Sequence, residues 1–197
     1  TTGLPRKCRK IVFSIYPLCK FMKFEFGTPN YDFLYELLNN PTIENLFNGY
    51  GNSKEIVSKI VNEKSEVIPF YKFCFAVTGN YPKQAEALEQ YFNAALRLAR
   101  TASNFKKALT TKKLYPNIKY QASFSANPSE SHKKYYGIVR PIEDAFWDMH
   151  IPPNDFGCEC RWAVSEEPVT LIPDNLPLPN EHFRFNPGKP ETFKNVL

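Results

Sequence analysis

Glycine and long apolar runs are both scarce in this sequence of 197 residues. It has 8 glycines against 17 prolines, so we expect its irregular stretches to be stiff rather than flexible. Long regular sheets are disfavoured, because proline cannot donate to the hydrogen-bond ladder. No segment approaches the roughly 20 consecutive apolar residues of a membrane helix. We therefore expect no contact with a membrane.

Disorder is also disfavoured, because the composition is that of a folded domain. Hydrophobic residues make up 43% of the chain and charged residues 23%. Aromatic residues reach 15%, so large flat side chains are available to build a core.

Acidic residues are absent from Gln90 to Ser129, although the formal net charge of the whole chain is only +5. Two interpretations of the basic side chains in this run stay open. They could contact the phosphates of double-stranded DNA without reading its sequence, since phosphate neutralisation needs only suitably spaced positive charge. They could equally form a solvated face. The run contains Arg97, Arg100, Lys106, Lys107, Lys112, Lys113 and Lys119.

The cysteines are odd in number and loosely spaced, which favours reduced thiols in a cytosolic compartment. They are Cys8, Cys19, Cys74, Cys158 and Cys160. The basic N-terminus precedes a short apolar run at residues 11–16, as in a signal peptide. Pro17 and Lys20 interrupt that run, and no small-x-small cleavage pattern follows, so no signal peptide is predicted.

Helical periodicity is strongest from about Pro82 to Leu109. Apolar residues recur there at the spacing of one helix face: Leu88, Phe92, Ala95, Ala99, Ala102 and Leu109. Shorter helices are predicted over Tyr31–Leu38 and over Ser53–Val61, with Ser53 as the cap. A strand is predicted over Ile118–Phe124.

These patterns predict a mainly helical α+β fold in three parts. Residues 1–80 form a helical N-terminal region. Residues 81–164 form a compact domain around the long helix and a His/Cys loop. Residues 165–197, rich in proline, form an extended arm that lies along the domain or reaches for a neighbour.

A set of motifs follows the long helix in a fixed order. His132 is followed by Gly137, by Asp144 before Phe146-Trp147, by Pro152-Pro153-Asn154, and by Gly157 before Cys158-x-Cys160. Arg100-Thr101-x-x-Asn104 precedes this set, and Asn186-Pro187-Gly188-Lys189 follows it. Together they resemble the signature of the phage Mu protein F-like family of minor head proteins. The positions carried over as structural are Arg100, Asn104, Gly137, Asp144, Trp147, Pro153, Asn154 and Gly157.

Two departures from the family pattern are visible. The Arg that often precedes the motif His is replaced by the segment Asn127-Pro128-Ser129-Glu130. Cys-Glu-Cys stands in place of Cys-Arg-Cys, with Arg161 displaced by one position.

The resemblance implies a structural protein of head morphogenesis, found inside the virion head and in the bacterial host cytoplasm. Its implied partners are portal or capsid protein and, non-specifically, double-stranded DNA. On this interpretation the DNA or partner contacts are Arg97, Lys106, Lys107, Lys112 and Lys113. Two alternatives stay open: the delivery module of a prophage-derived toxin, and a zinc-dependent hydrolase or nuclease.

His132, Cys158 and Cys160 are candidate zinc ligands, since zinc favours thiolate and imidazole. His150 is the predicted fourth ligand, ahead of Asp144 or Asp148. In the alternative, the cysteines pack as small apolar groups and His132 bonds a backbone carbonyl. Arg100 and Asn104, one helical turn apart, are predicted to hydrogen-bond the 132–160 loop.

Catalysis is not expected. A deaminase-type zinc site requires His-x-Glu and Pro-Cys-x-x-Cys, and neither motif occurs. A cysteine nucleophile paired with His132 has no oxyanion-hole motif to support it. Phe146 and Trp147 are predicted to be core anchors rather than ligand contacts.

Overall fold

The computed structural model describes residues 31–80 and 85–195. Its helices are α1 (Tyr31–Asn39), α2 (Pro41–Asn45), α3 (Ser53–Ser58), α4 (Phe70–Thr78), α5 (Glu86–Thr111), α6 (Glu130–Lys133) and α7 (Trp147–His150). Its strands are β1 (Asn117–Gln121), β2 (Val139–Pro141) and β3 (Arg161–Ser165). Within the same described residues, 3-10 helices lie at Asn48–Tyr50, Glu181–Phe183 and Pro190–Asn195. The predicted mainly helical α+β class is confirmed.

Some predictions fall outside the described residues. These are the absence of a signal peptide at the N-terminus, the reduced state of Cys8 and Cys19, and the start of the long helix at Pro82. Of the helices within residues 31–80 and 85–195, none combines the length and apolarity needed to span a bilayer.

The short N-terminal helices begin where asparagine side chains cap them. The Asn40 side chain accepts a hydrogen bond from the Thr42 amide, and Pro41 occupies the first turn of α2. For α3 the cap is Asn52, whose side chain accepts from the Glu55 amide at 3.3 Å. The predicted cap at Ser53 was therefore wrong by one residue, because Asn52 offers an equally good acceptor one position earlier.

The long helix α5 confirms the strongest sequence prediction, and it extends to Thr111. Its predicted inward residues Leu88, Phe92, Ala95, Ala99 and Ala102 are buried, whereas Leu109 is only half-buried. Helix α1 packs along α5, and the small side chains of Ala95 and Ala99 are fully buried in the apolar cluster to which both helices contribute.

Two apolar clusters share this helix. The first joins α1 to α4 with the N-terminal half of α5, and it also contains Phe183 and Phe185. The second joins the C-terminal half of α5, through Phe105 and Ala108, to the sheet and the aromatic residues around Trp147. Because two phenylalanines of the C-terminal arm are buried in the first cluster, this part of the arm lies along the domain. The three-part division at residues 80 and 164 stays a prediction.

The sheet is antiparallel, with strand order β2-β1-β3. Asn117 pairs with Pro141 on one side and with Ser165 on the other. Strand β1 ends at Gln121, three residues before the predicted end at Phe124. Phe124 is 74% exposed, and the Arg161 guanidinium lies 3.4 Å from the centre of its ring.

The Asn-Pro-Gly-Lys segment connects three elements. The Asn40 side chain donates to the Pro187 carbonyl at 2.8 Å, and Lys189 pairs with Asp148 of α7 at 2.6 Å. Between them, Gly188 lies directly against the fully buried ring of Phe105 in α5. Glycine is required here because the helix approaches so closely.

Gly188→Ala should therefore destabilise the fold. The added Cβ would lie 2.8 Å from the Cβ and Cδ1 atoms of Phe105, which is fully buried. We expect a loss of about 1–3 kcal/mol in the free energy of unfolding, measured by denaturant titration. Gly49→Ala is the matched control, because its Cβ would meet open space. Equal effects of the two substitutions would contradict the close packing.

Trp147 is the anchor of the second cluster. It is fully buried, packs edge-on against Phe146 with ring centres 4.8 Å apart, and donates from Nε1 to the Arg140 carbonyl at 3.4 Å.

Trp147→Ala should cost about 3–5 kcal/mol of unfolding free energy, because it leaves a large cavity. Leu171→Ala, at a side chain that is 92% exposed, should change stability by less than about 0.5 kcal/mol. Thermal and denaturant unfolding would measure both. A loss below about 1 kcal/mol for the tryptophan variant would show that burial of this ring contributes little.

Candidate metal centre and adjoining cleft

Helix α5 anchors the segment that carries the two cysteines. The Arg97 side chain donates to the Cys158 carbonyl and to Glu159 Oε1, the latter at 3.0 Å. One turn further along, Thr101 Oγ1 donates to the Pro152 carbonyl at 2.8 Å. These bonds hold both ends of residues 152–159 against the helix.

Arg100 and Asn104 were predicted to make these contacts, and for them the prediction was wrong. The Arg100 guanidinium lies 5.6 Å from the centre of the Phe33 ring. Within the described residues, neither the Arg100 nor the Asn104 side chain hydrogen-bonds the loop. Both pairs of residues, 97 with 101 and 100 with 104, are four positions apart. Spacing alone could not show which pair faces the loop.

The loop before the cysteines is itself well buried. Pro152, Pro153 and Asn154 are all buried, and the Pro152–Pro153 peptide bond is cis. With its amide oxygen facing the Tyr120 hydroxyl at 3.2 Å, Asn154 accepts from that hydroxyl and donates to the Ile151 carbonyl at 2.9 Å. Gly157, with φ +70°, turns the chain into the first cysteine in a conformation that favours glycine.

Two other motif positions also have structural roles. Gly137 adopts φ +82° after α6 and donates its amide to the Tyr120 carbonyl at 3.0 Å. Asp144 accepts from Arg140 at 2.6 Å and from the Phe146 amide at 2.8 Å, so it orients the start of α7.

His132, Cys158 and Cys160 meet at one point, as predicted from their residue types. Their nitrogen and sulfur atoms all lie within 4.8 Å of one another. Cys160 Sγ is 3.8 Å from His132 Nδ1 and 4.0 Å from the Tyr136 hydroxyl. His132 and Cys158 are buried and Cys160 is half-buried. The tyrosine was not predicted, because nothing in its spacing sets it apart from other core aromatics.

The three groups shift one another's protonation. A hydrogen bond with Cys158 raises the pKa of His132, and burial opposes that rise. The pKa of the Cys160 thiol is lowered, chiefly because the Cys158 thiol donates to it. The pKa of Cys158 is raised correspondingly by its bond to Cys160 and by burial. Negative charge is therefore favoured on Cys160, next to an imidazole.

His150 does not belong to this group, contrary to the prediction of a fourth ligand. Its ring stacks on Phe146 with centres 4.6 Å apart, its Nδ1 lies 3.2 Å from the Phe146 carbonyl oxygen, and burial lowers its pKa. The two reserve candidates are also engaged, Asp144 with Arg140 and Asp148 with Lys189. The positions of these residues in the sequence did not show that His150 and Asp148 of α7 point away from the cysteines.

A cleft of about 530 Å³ adjoins the two cysteines, and we call it the α5 cleft. Three separate motif segments line it. Its lining residues are Arg97, Arg100, Thr101, Asn104, Gln121, Phe124, Pro152, Pro153 and Cys158 through Trp162. Arg100 and Asn104 are exposed there, and within residues 31–80 and 85–195 neither has an ion pair or a side-chain hydrogen bond. The Arg100 guanidinium lies against the Phe33 ring, so within the described residues no acceptor takes up its hydrogen-bonding groups.

The basic run is largely neutralised by carboxylates from distant parts of the chain. Five ion pairs form: Arg97–Glu159 at 3.0 Å, Lys106–Glu36 at 2.5 Å, Lys107–Asp32 at 3.2 Å, Lys112–Glu143 at 2.8 Å and Lys119–Glu167 at 2.7 Å. Among the described residues, Arg100 and Lys113 have no such partner. The predicted DNA contact stays a prediction, with these two cations best placed to make it.

The salt dependence of binding to double-stranded DNA would test this. If only the two unpaired cations contact phosphates, the log–log slope of affinity against salt should be about −2, rather than about −6 for the whole run. Lys113→Gln should flatten the slope by about 0.9, whereas Lys112→Gln, whose lysine is paired with Glu143, should leave it unchanged. Fluorescence anisotropy from 50 to 200 mM salt would measure it. A wild-type slope near −6 would show that the ion pairs open on DNA.

Comparison with known proteins identifies the family. The family model described as "Phage Mu protein F like protein" matches residues 40–163, which is more than half of the chain. The curated protein "Putative capsid assembly protein F" of Escherichia phage Mu is 31% identical over 74 residues, covering 38% of this chain and 17% of that protein. No solved structure matches the chain. The chain belongs to the phage Mu protein F-like family, as its motifs indicated.

Proposed function

We propose that this chain is a structural, non-catalytic component of a phage head and that it associates with portal or capsid protein. Family membership over residues 40–163 carries the proposal. The relative from Escherichia phage Mu, named for capsid assembly, supports it. The aligned segment spans less than a fifth of that relative, so the proposal concerns the part played by this domain.

The α5 cleft is the proposed contact surface. Arginine and large aromatic side chains are enriched where protein interfaces gain most of their energy. Here Arg100 stands without an ion pair among the described residues, and the exposed Phe124 is stacked with Arg161. The partner that fits is a portal or capsid segment bearing a carboxylate, to which Arg100 can donate two parallel hydrogen bonds.

Two competing functions make different demands. A toxin-delivery module would need an enzymatic domain fused to this one, which a longer open reading frame beyond Leu197 would reveal. A zinc-dependent hydrolase or nuclease would need a metal ion with an open position and measurable turnover. The relative from phage Mu, named for capsid assembly, supports the structural function.

Deleting the gene from the encoding phage should abolish or deform filled heads, as seen by electron microscopy and plaque counts. Particles of normal morphology and titre would contradict the proposed function.

Arg100→Glu should lower the recovery of portal or capsid protein with the tagged chain by at least about tenfold, since charge reversal at an interface anchor typically costs that much. Lys72→Glu on α4 makes the same charge change at an exposed position outside the cleft lining, and it should leave recovery unchanged. Unfolding curves would check that both variants fold. Equal recovery of portal or capsid protein with the two variants would show that the cleft is not the contact surface.

A further inference from the structure

Buried polar groups in folded proteins have partners, and the partners of the His132 imidazole are unusual. The ring is buried, and within the described residues its polar neighbours are the Cys160 thiol, 3.8 Å from Nδ1, and the Cys158 thiol, within 4.8 Å. Its predicted alternative role, a hydrogen bond to a backbone carbonyl, is not seen among residues 31–80 and 85–195. Thiols are weak hydrogen-bond partners, so they satisfy a buried imidazole poorly.

We propose that His132, Cys158 and Cys160 bind one zinc ion, and that its fourth position opens to the α5 cleft and takes a water molecule. Imidazole and thiolate are the ligands that zinc favours, and other divalent metals of biology rarely prefer two thiolates. Both cysteines line the cleft, and this places the open fourth position on the cleft side of the cluster.

The spacing of the ligands fits this ion. With zinc–sulfur and zinc–nitrogen distances of about 2.3 and 2.0 Å, the ligand atoms of a tetrahedral site lie about 3.5–3.8 Å apart. Cys160 Sγ and His132 Nδ1 are already 3.8 Å apart, and no pair in the cluster exceeds 4.8 Å. Closing the site requires movements of about 1 Å or less on this geometry.

The charge balance fits as well. Both thiols lose a proton to solvent on binding, and two thiolates neutralise the ion, so no net charge is buried. The Tyr136 hydroxyl, 4.0 Å from Cys160 Sγ, is placed to donate to the bound thiolate. The metal would tie α6 to the loop that Arg97 and Thr101 hold against α5.

Metal analysis of the full chain, purified under reducing conditions without chelators, should find about one zinc per chain. Cys158→Ser and Cys160→Ser should each reduce this content severalfold. Cys74→Ser is the matched control, since Cys74 is also buried but contacts Thr78 and lies outside the cluster. Removing zinc from the wild type should lower its melting midpoint by about 5–10 °C, when the reference sample holds zinc at about 100 times its Kd.

Cobalt substitution covers the case in which the serine variants fail to fold. Metal-free wild-type chain titrated with cobalt should show the near-ultraviolet thiolate-to-cobalt absorption and the visible bands of a tetrahedral ion, saturating at one equivalent. Absence of the thiolate band, or a wild-type zinc content near zero, would overturn the proposal. Equal zinc in Cys74→Ser and in the double variant of Cys158 and Cys160 would overturn it too, because the metal would then lie elsewhere.

Discussion

One helix has to satisfy two cores at once, and the arrangement of the rest of the molecule depends on it. The N-terminal half of α5 is covered by the short helices and by Phe183 and Phe185. Its C-terminal half packs on the sheet and the cluster around Trp147. Small side chains, Ala95 and Ala99, are fully buried in the first cluster, whereas the large ring of Phe105 is fully buried in the second.

The remaining sides of α5 then carry the polar functions. Arg97 and Thr101 hold the cysteine loop, and the adjacent stripe, Arg100 and Asn104, faces the cleft. Lys106 reaches Glu36, a buried carboxylate that also accepts from the Asn40 side chain at 3.1 Å. Since an isolated buried charge is costly, this pair helps to fix α1 on α5.

Local signals in the sequence were enough for the long helix but not for the polar contacts. The apolar period predicted α5 because each of its residues contributes to the same face, and that information lies within 26 residues. The ion pairs join residues as far apart as Lys106 and Glu36, 70 positions in sequence, so a basic run without carboxylates resembled a free positive surface. The same limitation explains why the loop contact was predicted for Arg100 and not for Arg97. Each arginine is followed four positions later by a polar residue, Asn104 or Thr101, so the spacing is the same.

The candidate metal ligands show that the type of a side chain can be predicted from the sequence more easily than the direction in which it points. Thiolate and imidazole chemistry was sufficient to group His132 with Cys158 and Cys160, because all three are ligand types that zinc favours. His150 was equally suitable by type, yet α7 stacks its ring on Phe146 and leaves it outside the group. The direction of the His150 side chain depends on how α7 packs against the second cluster. The spacing of residues within one segment does not predict that packing.

The proposed metal site and the proposed contact surface share one loop but depend on different atoms. The Cys158 carbonyl is held by Arg97, while its sulfur belongs to the cluster. A bound ion would therefore fix the cysteine loop to α6, while Arg97 fixes the same loop to α5. The loop forms one wall of the cleft, and these two attachments would leave it little freedom to move. Arg100 takes part in neither attachment. Loss of partner binding through Arg100 would thus leave metal binding intact, whereas loss of the metal would loosen the wall against which a partner docks.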